Sequence, residues 1–234
     1  MKQFSIGDIV SRAWDLAVKH WPIFVLLSLV TSLTSGIGFH YDTATLTSLG
    51  NNPDPQLVAE AIRQSFTFSP WIIVSVLLSI YLGYVALNLY VNAYCLGRPY
   101  LTMSEAFKVD INQLAIFFAA ELVYGLLVAF GICLCILPGI YLAIRLWYVP
   151  LLTATQGATF GEAFRRSWEM TRGNVWNLFL MGLTMIGIAI LGFCACFVGI
   201  YFAEVITEFM LVVSYFVLAP ETVATENTDY VKLH

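Results

Sequence analysis

Six long apolar stretches constrain this chain more than any other feature of its sequence. They cover residues 21–39, 70–95, 112–136, 139–156, 175–197 and 200–219. Each approaches or exceeds the length of about 20 mainly apolar residues that a membrane-spanning helix needs. Only 11% of the side chains are charged, against about 25% in a soluble domain, which excludes an ordinary soluble enzyme. The sequence therefore predicts an all-α integral membrane protein with six transmembrane helices.

Two short breakers divide nearly continuous apolar sequence into paired spans. Leu137-Pro138-Gly139 separates the third span from the fourth, and Val198-Gly199 separates the fifth from the sixth. Pro and Gly at these points predict tight reversals of the chain. Counts of four or five spans stay open, because the fourth or the sixth span can also be read as re-entrant.

The basic residues are concentrated on one side of the predicted spans. Nine of the eleven Lys and Arg residues fall there: Lys2, Arg12, Lys19, Arg98, Lys108, Arg165, Arg166, Arg172 and Lys232. Basic residues mark cytoplasmic loops, so both termini are predicted to be cytoplasmic. Segment 40–69 is then the one sizeable outer loop. The net charge of −4 gives no broad basic surface for nucleic acid.

An internal repeat organises the six spans. Three segments, 5–10, 102–107 and 159–164, each place Ser or Thr three residues before an acid, the spacing of a helix capping box. In the first and third copies the match continues at an offset of 154 residues, with Trp14 aligned on Trp168. Apolar residues at helical spacing opposite a charged face predict an amphipathic helix at the membrane interface.

The predicted repeat unit is one interfacial amphipathic helix followed by a transmembrane hairpin. The three units cover about 1–95, 100–156 and 157–220, and a polar cytoplasmic tail, 221–234, follows them. Each unit starts and ends on the same side, so the repeats are parallel and differ from the inverted repeats of many transporters.

Charged residues inside membrane spans are functional candidates by default. They are Glu121, Arg145, Glu204 and Glu208. Counted from the outer turns at about 1.5 Å per residue, Arg145 matches Glu204 and Glu208 in depth, whereas Glu121 lies level with Asn88 and Asn92. One interpretation is a polar cavity or ion relay in the outer half of the bundle. The other is a structural ion pair that locks two hairpins together.

Two C-x-C pairs, Cys133/Cys135 and Cys194/Cys196, lie near the predicted outer turns. Four thiols can bind a soft metal, but no His lies nearby, and Cys is also a small and readily buried apolar residue. We therefore predict no metal site and no cofactor. The catalytic motifs of intramembrane proteases and hydrolases are also missing from the sequence, so no catalytic residues are predicted.

A resemblance to a known family rests on one region of the chain. Its residues are Leu137-Pro138-Gly139-Ile140-Tyr141-Leu142, Arg145, Pro150, Gly161-Glu162-Ala163-Phe164, Ser167-Trp168, Thr171, Gly173 and Trp176. The pattern resembles the membrane domain attached to some glycerophosphodiester phosphodiesterases, and stand-alone six-span bacterial relatives of unknown function. The resemblance implies a multi-pass protein of the bacterial inner membrane. The sequence ends at His234 without room for a phosphodiesterase domain, so we expect no enzymatic activity.

Two functions fit these features. The first is a non-enzymatic membrane protein that engages membrane lipids, a membrane-protein partner or a second copy of itself. Its headgroup contacts would come from a basic collar, defined here as Arg12, Lys19, Arg165, Arg166 and Arg172. The alternative is a small-solute or ion transporter that uses Arg145, Glu204 and Glu208. A lipid-acting enzyme is disfavoured because no nucleophile–base pair is evident.

Overall fold

The computed structural model describes residues 4–36, 71–97 and 109–219. These residues form eight helices and no strand: α1 (Ile6–Gly36), α2 (Trp71–Leu96), α3 (Ile111–Leu134), α4 (Ile136–Arg145), α5 (Val149–Thr155), α6 (Phe160–Met170), α7 (Val175–Cys194) and α8 (Cys196–Leu218). The predicted outer loop 40–69, the second repeat segment 102–107 and the tail 221–234 lie outside the described residues, as do Arg98 and Lys108.

Six of the described segments are long and apolar enough to cross a membrane. They are Ile6–Thr34, Ile73–Cys95, Ile111–Leu134, Ile136–Thr155, Val175–Cys194 and Gly199–Leu218. Large apolar side chains such as Leu122, Leu126 and Leu191 are exposed on α3 and α7, and an apolar surface of this kind calls for a lipid environment or a partner rather than water. For the described residues, the prediction of an all-helical chain with six candidate membrane-spanning segments is confirmed.

The first helix differs from its predicted form. An interfacial helix was expected ahead of the span, but α1 runs without a break through Pro22. Its 31 residues extend over about 46 Å at 1.5 Å per residue, whereas the hydrocarbon core is about 30 Å thick. Helix α1 must therefore tilt strongly or project beyond the hydrocarbon. By contrast, α6 is a separate helix ahead of α7.

The two reversals lie a few residues earlier than the sequence predicted. Helix α3 gives way to α4 at Cys135, which is extended (φ −170°, ψ 148°), and α7 gives way to α8 at Ala195. The predicted breakers lie inside the following helices, so their placement at the turns was wrong. Pro138 is the third residue of α4, where Pro is tolerated because N–H groups of the first helical turn have no partner within the helix.

Glycines bring the two helices of each hairpin into backbone contact. A methyl group placed on Gly131 would lie 2.9 Å from the Cα atom of Gly139, and one on Gly192 would lie 2.6 Å from the carbonyl oxygen of Gly199. Real side chains do not reach such distances without displacing their neighbours. The role of Gly139 and Gly199 is thus close helix packing, and the chain reverses elsewhere.

Chain contacts divide the protein into two compact units, Met1–Leu29 with Gly83–His234, and Val30–Leu82. In the first unit, α8 supplies much of the core, and its Phe209 packs against Phe24 of α1 and Tyr90 of α2 at ring-centroid distances of 5.1 and 4.8 Å. In the second unit, the hydroxyl groups of Thr34 and Ser79 lie 3.4 Å apart.

We predict that Gly139→Ala destabilises the protein. The added methyl group would lie 2.6 Å from the backbone nitrogen of Ile132, and overpacking of this kind costs about 1–3 kcal/mol. The matched control is Gly187→Ala, since no atom lies within 4 Å of a methyl group added there. Thermal unfolding in detergent should show a lower midpoint for Gly139→Ala alone. Equal midpoints for both variants would contradict close packing at Gly139.

Candidate functional site

The fourth membrane span is broken in the middle. Helix α4 ends at Arg145 and α5 begins at Val149, and the backbone N–H of Val149 donates to Leu146 at 3.1 Å instead of continuing the α-helical ladder. The cause lies at Pro150, which has no N–H and whose ring clashes with the carbonyl four residues earlier, that of Leu146. The break frees the carbonyl of Arg145 and the N–H of Tyr148.

Ser167 of α6 satisfies both freed backbone groups. Its hydroxyl donates to the carbonyl oxygen of Arg145 at 2.9 Å and accepts a hydrogen bond from the N–H of Tyr148 at 3.3 Å. Ser167 is fully buried. An unsatisfied backbone group is costly where water is excluded. Helix α6 therefore stabilises the broken span through the two hydrogen bonds of Ser167.

Helix α6 starts at a capping box. The N–H and the hydroxyl of Thr159 both donate to the Glu162 carboxylate, at 3.3 and 3.1 Å. These hydrogen bonds, with a smaller contribution from the Arg166 charge, lower the pKa of Glu162. The predicted capping box at 159–162 is therefore present, and it fixes where α6 begins and which of its faces meets the broken span.

The side chain of Arg145 packs beneath the same helix. Its guanidinium carbon lies 4.0 Å from the ring centroid of Trp168 and 5.8 Å from that of Tyr141, within range of a cation–π interaction. Its Nη1 donates to the hydroxyl of Thr171 at 3.1 Å. Arg145 is only 4% exposed, and its Nε has no hydrogen-bond acceptor among the described residues.

Tyr148 connects the break to α8. Its side chain is fully buried, and its hydroxyl lies 2.8 Å from that of Ser214. A second link joins the Gln156 amide, which donates to the hydroxyl of Tyr215. The broken span is thus held on one side by α6 and on the other by α8.

The acids of α8 do not pair with Arg145. Glu204 accepts a hydrogen bond from the Ser28 hydroxyl of α1, and Glu208 lies one helical turn further along α8. Across the three described ranges, the ion pair within 4.0 Å is Arg166–Glu162. The ion pair expected between Arg145 and these acids is absent there. Equal depth in two helices does not determine the direction in which a side chain points, and the side chain of Arg145 points towards α6.

Glu121 is half-buried on α3. Asn88 has a structural contact, because its amide donates to the carbonyls of Tyr84 and Ala154 at 2.9 and 3.1 Å. It therefore ties α2 to α5. Asn92 is half-buried on α2.

The residues of the basic collar differ in exposure. Arg12, Lys19, Arg165 and Arg172 are exposed, and Arg166 is partly exposed at 3.9 Å from Glu162. Their side chains are available at the surface of the bundle, and Arg166 is the member with an acidic partner.

The cysteines at the reversals are more exposed than expected. Cys133, Cys135 and Cys194 are free and exposed, and Cys95 is partly buried. Among the described residues, no three His, Cys, Asp or Glu side chains gather in a way that would hold a metal ion.

Sequence reasoning identified Arg145 but missed its partners. Ser167 and Thr171 entered the sequence analysis as residues of the family pattern, and their contact with Arg145 was not predicted. The available signal was Pro150, which lies four residues after Leu146 inside an apolar span. A small hydroxyl residue in the following amphipathic segment was the second clue, but only the fold shows that it reaches the break.

We expect Ser167→Ala to lower the stability of the protein. The change leaves the Arg145 carbonyl and the Tyr148 N–H without their main partner, and an unsatisfied buried group costs about 1–3 kcal/mol. Ser11→Ala, at an exposed position of α1, is the control. Thermal unfolding in detergent is the measurement. A midpoint for Ser167→Ala equal to that of the control would show that Ser167 does not stabilise the broken span.

A model of a known protein family matches this region of the chain. Residues 117–225 match the family described as the membrane domain of glycerophosphoryl diester phosphodiesterase, a range that includes the broken span, α6 and the acids of α8. No curated protein and no solved structure matches the chain. The resemblance drawn from the sequence is confirmed for residues 117–225, which are similar to the membrane domain of glycerophosphoryl diester phosphodiesterase.

Proposed function

We propose that this chain is a non-enzymatic multi-pass protein of the bacterial inner membrane that engages anionic lipid headgroups through its basic collar. The observation that carries the proposal is the surface of α6. Ala163 and Ser167 are fully buried against the bundle, while Arg165 is exposed and Trp168 is 40% exposed. A helix with exposed bases and aromatic rings between two spans suits the headgroup layer, where it can contact phosphates and acyl chains together.

The proposed arrangement contains three parallel repeats with both termini in the cytoplasm. Two observations support it. The hairpins α3–α4 and α7–α8 both make a close glycine contact next to the reversal, and the exposed bases Arg165 and Arg172 fall between the fourth and fifth candidate spans. In this arrangement the collar faces the anionic inner leaflet, where each base contributes about 1 kcal/mol.

We predict that Arg165→Gln combined with Arg172→Gln weakens retention of anionic lipid. Loss of two charges corresponds to about 2 kcal/mol, or about a 30-fold loss of preference. Native mass spectrometry of protein from nanodiscs would give the ratio of retained phosphatidylglycerol to phosphatidylcholine.

The charge-conserving pair Arg165→Lys and Arg172→Lys is the matched control and should keep that ratio. An unchanged ratio in the Gln variant would remove the lipid-collar proposal. Retention of a stoichiometric protein partner or of a second copy, in place of lipid, would favour the partner version of the same function.

A transporter is the second candidate, and the broken fourth span favours it. Membrane transporters often build their sites where a helix is interrupted, because the exposed backbone and nearby charges can contact a solute. The break at 146–148 lies beside a buried cation, and the same bundle holds Glu121, Glu204 and Glu208. The transporter candidate thus assigns a function to Arg145 and to these glutamates, which are not part of the basic collar.

We expect a transporter to carry protons or a small ion across proteoliposomes, and Glu208→Gln to lower that flux at least tenfold by removing the titratable group. Proton uptake driven by an imposed potassium diffusion potential is the measurement. Glu169→Gln is the control, since Glu169 is exposed on α6. No flux above that of empty liposomes, or flux indifferent to both Glu208→Gln and Arg145→Ala, would exclude transport.

A further inference from the structure

The guanidinium group of Arg145 is held at one face and at one of its terminal nitrogens. Its flat face lies against the Trp168 ring at 4.0 Å, and its Nη1 is held by the hydroxyl of Thr171 at 3.1 Å. On the opposite edge, Nε is buried and has no acceptor among the described residues. An arginine presents the Nε–Nη2 edge as a planar fork with two parallel N–H donors.

The charge of Arg145 has no acidic partner among the described residues. No carboxylate there lies within 4.0 Å of it, and the ion pair found there is Arg166–Glu162. A buried charge is very costly unless it is paired, and a desolvated cation–π interaction returns only about 2 kcal/mol. The buried guanidinium group beneath α6 is therefore a cation with no acidic partner among the described residues.

We infer that this edge of Arg145 is an oxyanion site for a phosphate group, carried by a phospholipid headgroup or present as free phosphate. The two in-plane donors match two oxygens of one phosphate, while Trp168 and Thr171 fix the plane and rotation of the guanidinium. The site is distinct from the exposed collar residues Arg165 and Lys19.

Burial has a consequence for binding kinetics. Because Arg145 is only 4% exposed, an anion reaches the Nε–Nη2 edge only when α6 or a neighbouring side chain moves. Release is then slow as well. A phosphate group bound here should survive gentle purification, whereas lipids attracted by exposed bases exchange freely.

The first arm of the test asks whether the ligand is a lipid. Native mass spectrometry of full-length protein, released gently from its own membrane, should show one retained phospholipid per chain. Arg145→Lys keeps the charge but loses the fork, and should reduce that occupancy at least tenfold. Glu169→Gln, at an exposed position of α6 outside the basic collar, is the matched control and should leave it unchanged.

The second arm asks whether the ligand is free phosphate. Delipidated wild-type protein is titrated with inorganic phosphate against chloride at equal ionic strength, and the thermal midpoint is followed. A phosphate-specific rise that Arg145→Lys weakens at least tenfold in apparent affinity assigns the site to free phosphate. Both measurements are also made on the wild-type protein, so they test the inference even if Arg145→Lys folds poorly.

Absence of a retained phospholipid together with absence of a phosphate-specific rise in the wild type would overturn the inference. So would binding that is equal in wild type and in a folded Arg145→Lys variant. The collar proposal fails separately, through the Arg165 and Arg172 variants, since those side chains are exposed and do not contact the fork of Arg145.

Discussion

The interruption of the fourth span is the constraint on which the candidate site depends. Pro150 removes a backbone donor and displaces the carbonyl of Leu146, so the helix stops and restarts within an apolar segment. Freed backbone groups need partners wherever water is excluded, and Ser167 supplies them by accepting from Tyr148 and donating to Arg145. The position of α6 follows from this requirement, and its capping box at Thr159 starts the helix in the register that brings Ser167 to the break.

The placement of Arg145 follows from the same contact. Once α6 lies across the break, Trp168 and Thr171 come next to the last residue of α4, and the guanidinium is held by an aromatic face and a hydroxyl instead of a carboxylate. The α8 acids lie elsewhere, with Glu204 bonded to Ser28. Two separate polar regions therefore exist in the bundle, one cationic beneath α6 and one acidic along α8, and the proposed functions differ in which region they use.

Close helix packing places the rest of the bundle around these regions. Gly131 with Gly139, and Gly192 with Gly199, allow the backbones of each hairpin to touch, and this contact sets the direction in which α4 and α8 leave their reversals. The two proposals differ in how an anion would be bound. The exposed collar bases would act through their net charge, and the buried fork of Arg145 through the planar geometry of one side chain.

The sequence by itself determined the class of the protein, its six apolar spans, the capping box at Thr159 and which charged residues lie within the spans, because hydropathy, helical period and cap spacing are local properties. It placed the reversals at Pro138-Gly139 and near Gly199, since Pro and Gly usually mark turns, whereas close packing of these glycines is a property of two helices together. It also matched Arg145 with Glu204 and Glu208 by depth. Only the tertiary structure decided that α6 folds back over the break, because the partners of Arg145 lie up to 26 residues further along the chain and no local pattern fixes the direction of a long side chain.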